Sequence, residues 1–242
     1  MPGFLTHSGD IQGIAAINAA LAQQWFNTPA TFVMGFAGRS RDLAHDPRPA
    51  GYGEAMPVLK YDSAARFVSD VGAGRITFGY RWVQYDPEAG VRTPLLEQQD
   101  PVGAITQFAD TAHANGFQTL LTPGRDLAPV AYPGSPLSQQ PGESYDDWYI
   151  RLLAPAAANA DVWLYQDQRH EAHVAKYQGW YGKVRAAVLT AHPGIPVWSG
   201  VSCIRGDALQ MAAAAQSIPA AEGFWLNVSR DYAQAEQFLA LM

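Results

Sequence analysis

Short runs of β-forming residues alternate with longer runs of helical periodicity about eight times along these 242 residues. That rhythm leaves few architectures. A strand, a helix and the next strand make a parallel βαβ unit, and eight such units close into a (β/α)8 TIM barrel. The strand runs fall at 4–7, 31–36, 56–61, 75–88, 117–122, 161–166, 196–199 and 224–228. Helical runs follow at 11–26, 63–71, 102–115, 144–159, 171–191, 207–217 and 232–241. Without the short first run, seven strands remain, and a doubly wound sheet or an incomplete barrel is the alternative. No repeat, linker or charge run divides the chain, so residues 1–242 read as a single α/β domain.

Local punctuation supports these limits. Asp10 reads as the cap of the helix at 11–26, and Asn27-Thr28-Pro29 as its stop. Asp100-Pro101 starts a helix with proline in its first turn, and Gly116 ends it. Residues 89–100 and 125–142 read as loops. A chain with 48% apolar and only 16% charged residues is an enzyme-like packed domain rather than a disordered one.

The fourth strand run, RITFGYRWVQYDPE, is the most informative. Ile76, Phe78, Tyr80 and Trp82 alternate as in a half-buried strand, and the run ends in Asp86, Pro87 and Glu88. Pro87 has no N–H for a ladder, so pairing should stop there. On an extended chain Gln84, Asp86 and Glu88 share one face. A barrel carries its site at the C-terminal ends of its strands. The polar residues collected there are His7, Arg39, Arg41, Lys60, Asp62, Arg125, Asp126, Tyr165, Gln166, Asp167 and Gln168. Ser199, Ser202, Trp225 and Asn227 complete the set. Together they describe a polar cup with aromatic walls.

Several chemistries lack their signatures. No GxGxxG or GxxxxGK[ST] run offers a nucleotide handle, so no cofactor is expected. Cys203 is the only cysteine, which excludes an intrachain disulfide and a cysteine-based zinc site; it reads as an inert thiol. The HEAH run at 170–173 departs from HExxH and reads as solvated or capping, so no metal is expected. His113 and His192 close helices and read as dipole partners. The serines Ser199 and Ser202 lack a GxSxG elbow. With a net charge of −6 and no Lys/Arg cluster along the sequence, nucleic acid and anionic membrane surfaces are not expected partners. No basic region followed by an apolar run opens the chain, so a cytoplasmic location is expected.

The acids fit glycoside hydrolysis best. That reaction needs a carboxylic acid to protonate the leaving oxygen and a second group to stabilise an oxocarbenium-like state. Burial and a neighbouring carboxylate can keep an acid protonated near neutrality. The run from Gln84 to Glu88 resembles the end of the fourth-strand signature of chitinase-type barrels, Asp-x-Asp-x-Glu. The resemblance implies a proton donor at Glu88, a supporting acid at Asp86 and a nucleophilic N-acetyl group on the substrate. It also implies an acetamide-positioning role for Tyr165 and a stacking floor at Trp225. Gln84 stands where the signature has its first Asp, and the glycine-rich lead-in is missing. The phrases YDPE, TPLLEQQDP, PVWSGVS and GFWLN are similar to uncharacterised bacterial barrel proteins, a likeness that implies the fold and no activity.

The expectation is therefore an enzyme acting on an oligosaccharide or polyhydroxylated small molecule. Glu88 and Asp86 are its catalytic residues. Tyr165, Gln166, Gln168, Trp225, Asn227, Lys60, Arg125 and His7 bind substrate. A cofactor-independent lyase, isomerase or cyclase of small-molecule biosynthesis is one rival. A sugar-binding barrel without catalysis is the other.

Overall fold

The computed structural model describes all 242 residues. Eight parallel strands form a closed barrel in sequence order: β1 Gly3–His7, β2 Phe32–Phe36, β3 Met56–Tyr61, β4 Trp82–Tyr85, β5 Gln118–Leu121, β6 Val162–Tyr165, β7 Val197–Ser202 and β8 Gly223–Asn227. The first strand pairs with both β2 and β8, so the barrel is complete. Helices α1 Ser8–Ile17, α2 Ala19–Phe26, α3 Ala64–Gly72, α4 Leu95–Gln99, α5 Pro101–Ala114, α6 Tyr145–Leu152, α7 Val174–Ala191, α8 Ala208–Gln216 and α9 Tyr232–Leu241 accompany the strands.

Strand periodicity sorts each run between two cores. One residue in two points into the barrel, where Leu5, Phe32, Met34, Val58, Leu120, Val162, Leu164 and Trp198 pack together. The alternate residues join the larger layer between strands and helices. Trp198 plugs the interior because Gly3 and Gly223 leave it room. A Cβ on Gly223 would lie 2.4 Å from the indole, and one on Gly3 would lie 3.0 Å from it. Higher in the barrel the inward positions turn polar, with Lys60, Gln84, Asp86, Thr122 and Ser202 all buried. The apolar layers therefore form a floor beneath a polar mouth.

Several elements depart from the sequence expectation. The fourth strand is confined to Trp82–Tyr85. Residues 75–81 keep alternating burial, but their N–H groups do not enter a ladder. Arg75 N–H bonds Asp70 O, and Thr77 and Phe78 N–H both bond Leu43 O. Alternation there records a loop packed on one side. The helix expected at 11–26 is two helices, broken at Asn18, whose side chain accepts from Leu21 N–H and donates to Glu236. His7, not Asp10, holds the cap position of α1. The loop at 89–100 contains α4. The helix at 144–159 stays α-helical only to Leu152 and continues as a 3-10 turn at Ala154–Asn159, since Pro155 has no N–H to give. The long helix begins at Val174 rather than at 171. No helix is long and apolar enough to cross a membrane.

Candidate active site

At the mouth, Asp86 anchors a buried polar network. Its Oδ1 accepts from Thr122 Oγ1 at 2.8 Å and from Gln166 Nε2 at 2.8 Å, and its Oδ2 is ion-paired with Lys60 Nζ. Lys60 is 9% exposed and Asp86 2% exposed. Gln84 donates to Thr122 Oγ1 at 3.1 Å, and Gln166 also donates to Thr122 O. These residues come from β3, β4, β5 and the end of β6, and the parallel pairing of those four consecutive strands brings them together. Three donors on its two oxygens hold the buried Asp86 carboxyl in place. Thr122 is the hub of this network and was not among the expected site residues; its place one residue past β5, in phase with Leu120, is the signal that marks it.

Glu88 lies just above this layer, half-buried, in a cavity of about 320 Å3 shared with Asp126, Gln166, Gln168, Trp225 and Asn227. Its carboxyl is pushed up to about 7, mainly by burial and then by the negative charge of Asp86, with Lys60 pulling the other way. Asp126 raises it further, and Asp126 is itself raised by burial. The two facing acids meet across Gly124. A Cβ at that position would lie 2.3 Å from Asp126 Oδ1 and 3.3 Å from Glu88 Cγ. Gly200 serves Gln168 in the same way, since a Cβ there would lie 2.6 Å from its amide carbon. Trp225 reaches the cavity from β8 at the inward register, and Asn227 accepts from Ser229 Oγ at 2.8 Å.

His7 stands at the end of β1, stacked on Phe36 at 4.8 Å between ring centroids. Burial and the nearby Lys60 and Arg39 charges lower its pKa to about 4, so the ring is neutral at pH 7. It faces a separate cavity of about 630 Å3 between the start of α1 and the β2–β3 loop.

Tyr165 does not face the site. On β6 its neighbours Val162 and Leu164 take the inward phase, so Tyr165 points to the helical layer, where its hydroxyl donates to Asp146 Oδ1 at 2.6 Å. An acetamide-positioning role for Tyr165 is thereby removed. Arg125 borders the Glu88 cavity, yet its Nη1 is held by Asp146 Oδ1 at 2.6 Å. The HEAH run is not solvated as a whole. His170 is buried and bonded through Nδ1 to Asp167 Oδ1 at 2.5 Å, while its Nε2 accepts from Arg169. Burial, and then the negative charge of Asp146, push Asp167 up to about 9, and its Oδ2 is buried without a partner. Glu171, fully buried and raised to about 8, accepts from Ser202 N–H at 2.8 Å. His113 bonds Asp161 at 2.9 Å, and burial pushes the Cys203 thiol up to about 12. No three His, Cys, Asp or Glu side chains are grouped to hold a metal ion.

No protein-family model matches the chain, and no curated protein matches it in sequence. Solved structures do match its shape. The catalytic domain of a family GH18 chitinase from the fern Peteris ryukyuensis superposes with a TM-score of 0.58 at 12% identity, over 99% of this chain and 98% of that one. An archaeal fructose-1,6-bisphosphate aldolase gives 0.54 at 10% identity, over 100% and 94%. A chitinase from Chromobacterium violaceum gives 0.51 at 12%, over 99% of both chains. The chain is a TIM barrel. Proteins named for unrelated reactions share that shape, so the chemistry must be argued from the site.

Proposed function

We propose that this barrel is a glycoside-hydrolase-like enzyme acting on a carbohydrate or polyhydroxylated small molecule, with Glu88 as general acid/base. The observation that carries the reading is a carboxyl held near pH 7 in an open cavity beside a fixed buried carboxylate. Protonated Glu88 donates to the departing oxygen, and Asp86 keeps it protonated by repulsion. Asp126, on the facing wall, is the second carboxyl of the pair that such a reaction uses. Trp225 offers an apolar face to a sugar ring, and Gln166, Gln168 and Asn227 offer amides to its hydroxyls. With Tyr165 turned away, the reading does not require an N-acetylated substrate. The polar cavity speaks against the cyclase reading, which needs a closed apolar chamber. Sugar binding without turnover is favoured by one observation: Gln84 replaces the first acid of the resembling signature and bonds Thr122 instead.

A panel of 4-methylumbelliferyl glycosides tests the proposal. The expected result is turnover that falls as pH rises through about 7, the value of Glu88. Glu88→Gln should lose roughly 10²- to 10⁴-fold in rate, and Asp126→Asn should lose activity while staying folded. A Glu88→Gln variant with an unchanged rate removes Glu88 from the mechanism. Ligand binding with no turnover on any substrate selects the non-catalytic reading.

A further inference from the structure

Next to the Asp86 network lies a cavity of about 410 Å3 whose charged lining is lopsided. Arg39, Lys60, Arg66 and Arg92 face it, with Asp62 as the only carboxylate among the lining residues. Arg39 follows β2, Lys60 and Arg66 lie on β3 and α3, and Arg92 follows β4, so the pairing of three neighbouring strands gathers them.

Their commitments differ. Lys60 is paired with Asp86 and lies 3.6 Å from Asp62. Arg66 donates to Ala37 O at 2.5 Å and lies 3.6 Å from Asp70. Arg48, in the adjoining larger cavity, is spent on Asp46, Gly53 O and Ala55 O. Arg39 and Arg92 are paired with no carboxylate at all. Both are exposed. Arg39 is nevertheless placed, because its guanidinium sits 4.8 Å from the centroid of the Phe36 ring. The same ring stacks on His7 and lies 6.0 Å from Lys60 Nζ. His7 is lowered first by burial and then by the charges of Lys60 and Arg39, with Asp86 pulling the other way, so these two cations both act on this corner of the mouth.

A chain of net charge −6 that leaves two guanidinium groups unpaired in a concave mouth focuses a local positive potential there. Guanidinium forks match planar or tetrahedral oxyanions in a bidentate manner. We infer that the ligand of this barrel carries an anionic group, a carboxylate or a phosphate ester, and that Arg39 and Arg92 bind it in this cavity. The subsite adjoins the candidate catalytic centre through the chain Lys60, Asp86 and Gln166, and Gln166 lines the Glu88 cavity. This deepens the proposed function and rests on it for the placing of the reacting bond, though anion binding itself does not.

Equilibrium titration calorimetry tests the subsite without requiring turnover. The probes are D-glucuronate, glucose 6-phosphate and methyl glucoside, each against the full chain. At least one anionic probe should bind about tenfold more tightly than methyl glucoside, and added salt should weaken it. Glucuronate binding alone assigns a carboxylate, and glucose 6-phosphate binding alone assigns a phosphate ester. The double variant Arg39→Gln/Arg92→Gln should lose at least about tenfold in affinity for that probe. Arg151→Gln, an arginine paired with Glu143, should not change it. Both replaced arginines are exposed, and circular dichroism verifies that the variant folds. Equal affinity for the neutral sugar, no binding of either anion, or an unchanged double variant overturns the inference. Turnover of a neutral glycoside through Glu88 alongside failed anion binding would sink the subsite and spare the acid. Anion binding in a protein that turns over no glycoside would do the reverse.

Discussion

Glu88→Gln should make the protein more stable above neutral pH and leave its stability unchanged in acid. In the unfolded chain a glutamate releases its proton near its ordinary value of 4.5, whereas folded Glu88 holds it to about 7. Between those values the folded state binds more protons than the unfolded state, so unfolding releases a proton and stability falls as pH rises. Below 4.5 both states are protonated and nothing is lost. Above about 7 the full penalty is present. The gap between the two values corresponds to about 3 kcal/mol, and solvent screening of a half-buried group reduces this to about 1–3 kcal/mol. Glutamine keeps the shape of the protonated acid and has no charge to bury. For a domain of this length, about 2–4 °C of Tm accompanies each kcal/mol, so the variant should melt roughly 2–12 °C higher at pH 8. Thermal melts followed by far-UV circular dichroism, from pH 4 to 9, give the comparison. The two curves should coincide at the acid end and separate as pH rises to about 7, with the variant above. Coincident melts throughout, or a less stable variant at pH 8, would show that Lys60 outweighs burial and Asp86, and the case for Glu88 as a proton carrier would fail.

Two further perturbations examine the scaffold beneath it. Lys60→Met leaves Asp86 buried with two neutral donors and no cation, which should cost about 3–5 kcal/mol in urea denaturation, part of it recovered by adding Asp86→Asn; a single variant as stable as the parent would mean that the ion pair is not holding the mouth together. Gly200→Ala puts a methyl group 2.6 Å from the Gln168 amide carbon and should displace that side chain, lowering ligand affinity about tenfold with a stability loss of about 1–3 kcal/mol; unchanged affinity would show that Gln168 does not touch the ligand.

The alternation of runs carried the barrel, including the short first strand at 4–7, because periodicity of side chains follows directly from backbone geometry. The same rule placed Gln84, Asp86, Gln166, Trp225 and Asn227 at the inward phase of their strands. It failed where burial alternates without a ladder, as at Ile76, Phe78 and Tyr80. There Phe78 N–H bonds Leu43 O, a long-range partner, and Tyr80 N–H bonds Phe78 O within the loop. It failed again at Tyr165, because Val162 and Leu164 take the inward phase of β6 and leave Tyr165 to the helical layer.

What the chain determines by itself is therefore local: which residues extend, which coil, and which side of a strand each side chain takes. Tertiary structure decided the rest. The partners that hold the buried Asp86 carboxyl, Lys60, Thr122 and Gln166, arrive from three other strands. Whether thinly scattered arginines form a positive corner depends on the pairing of β2, β3 and β4. Proton affinity and electric potential are sums over neighbours in space, and neighbours in space are what a linear order of residues does not contain.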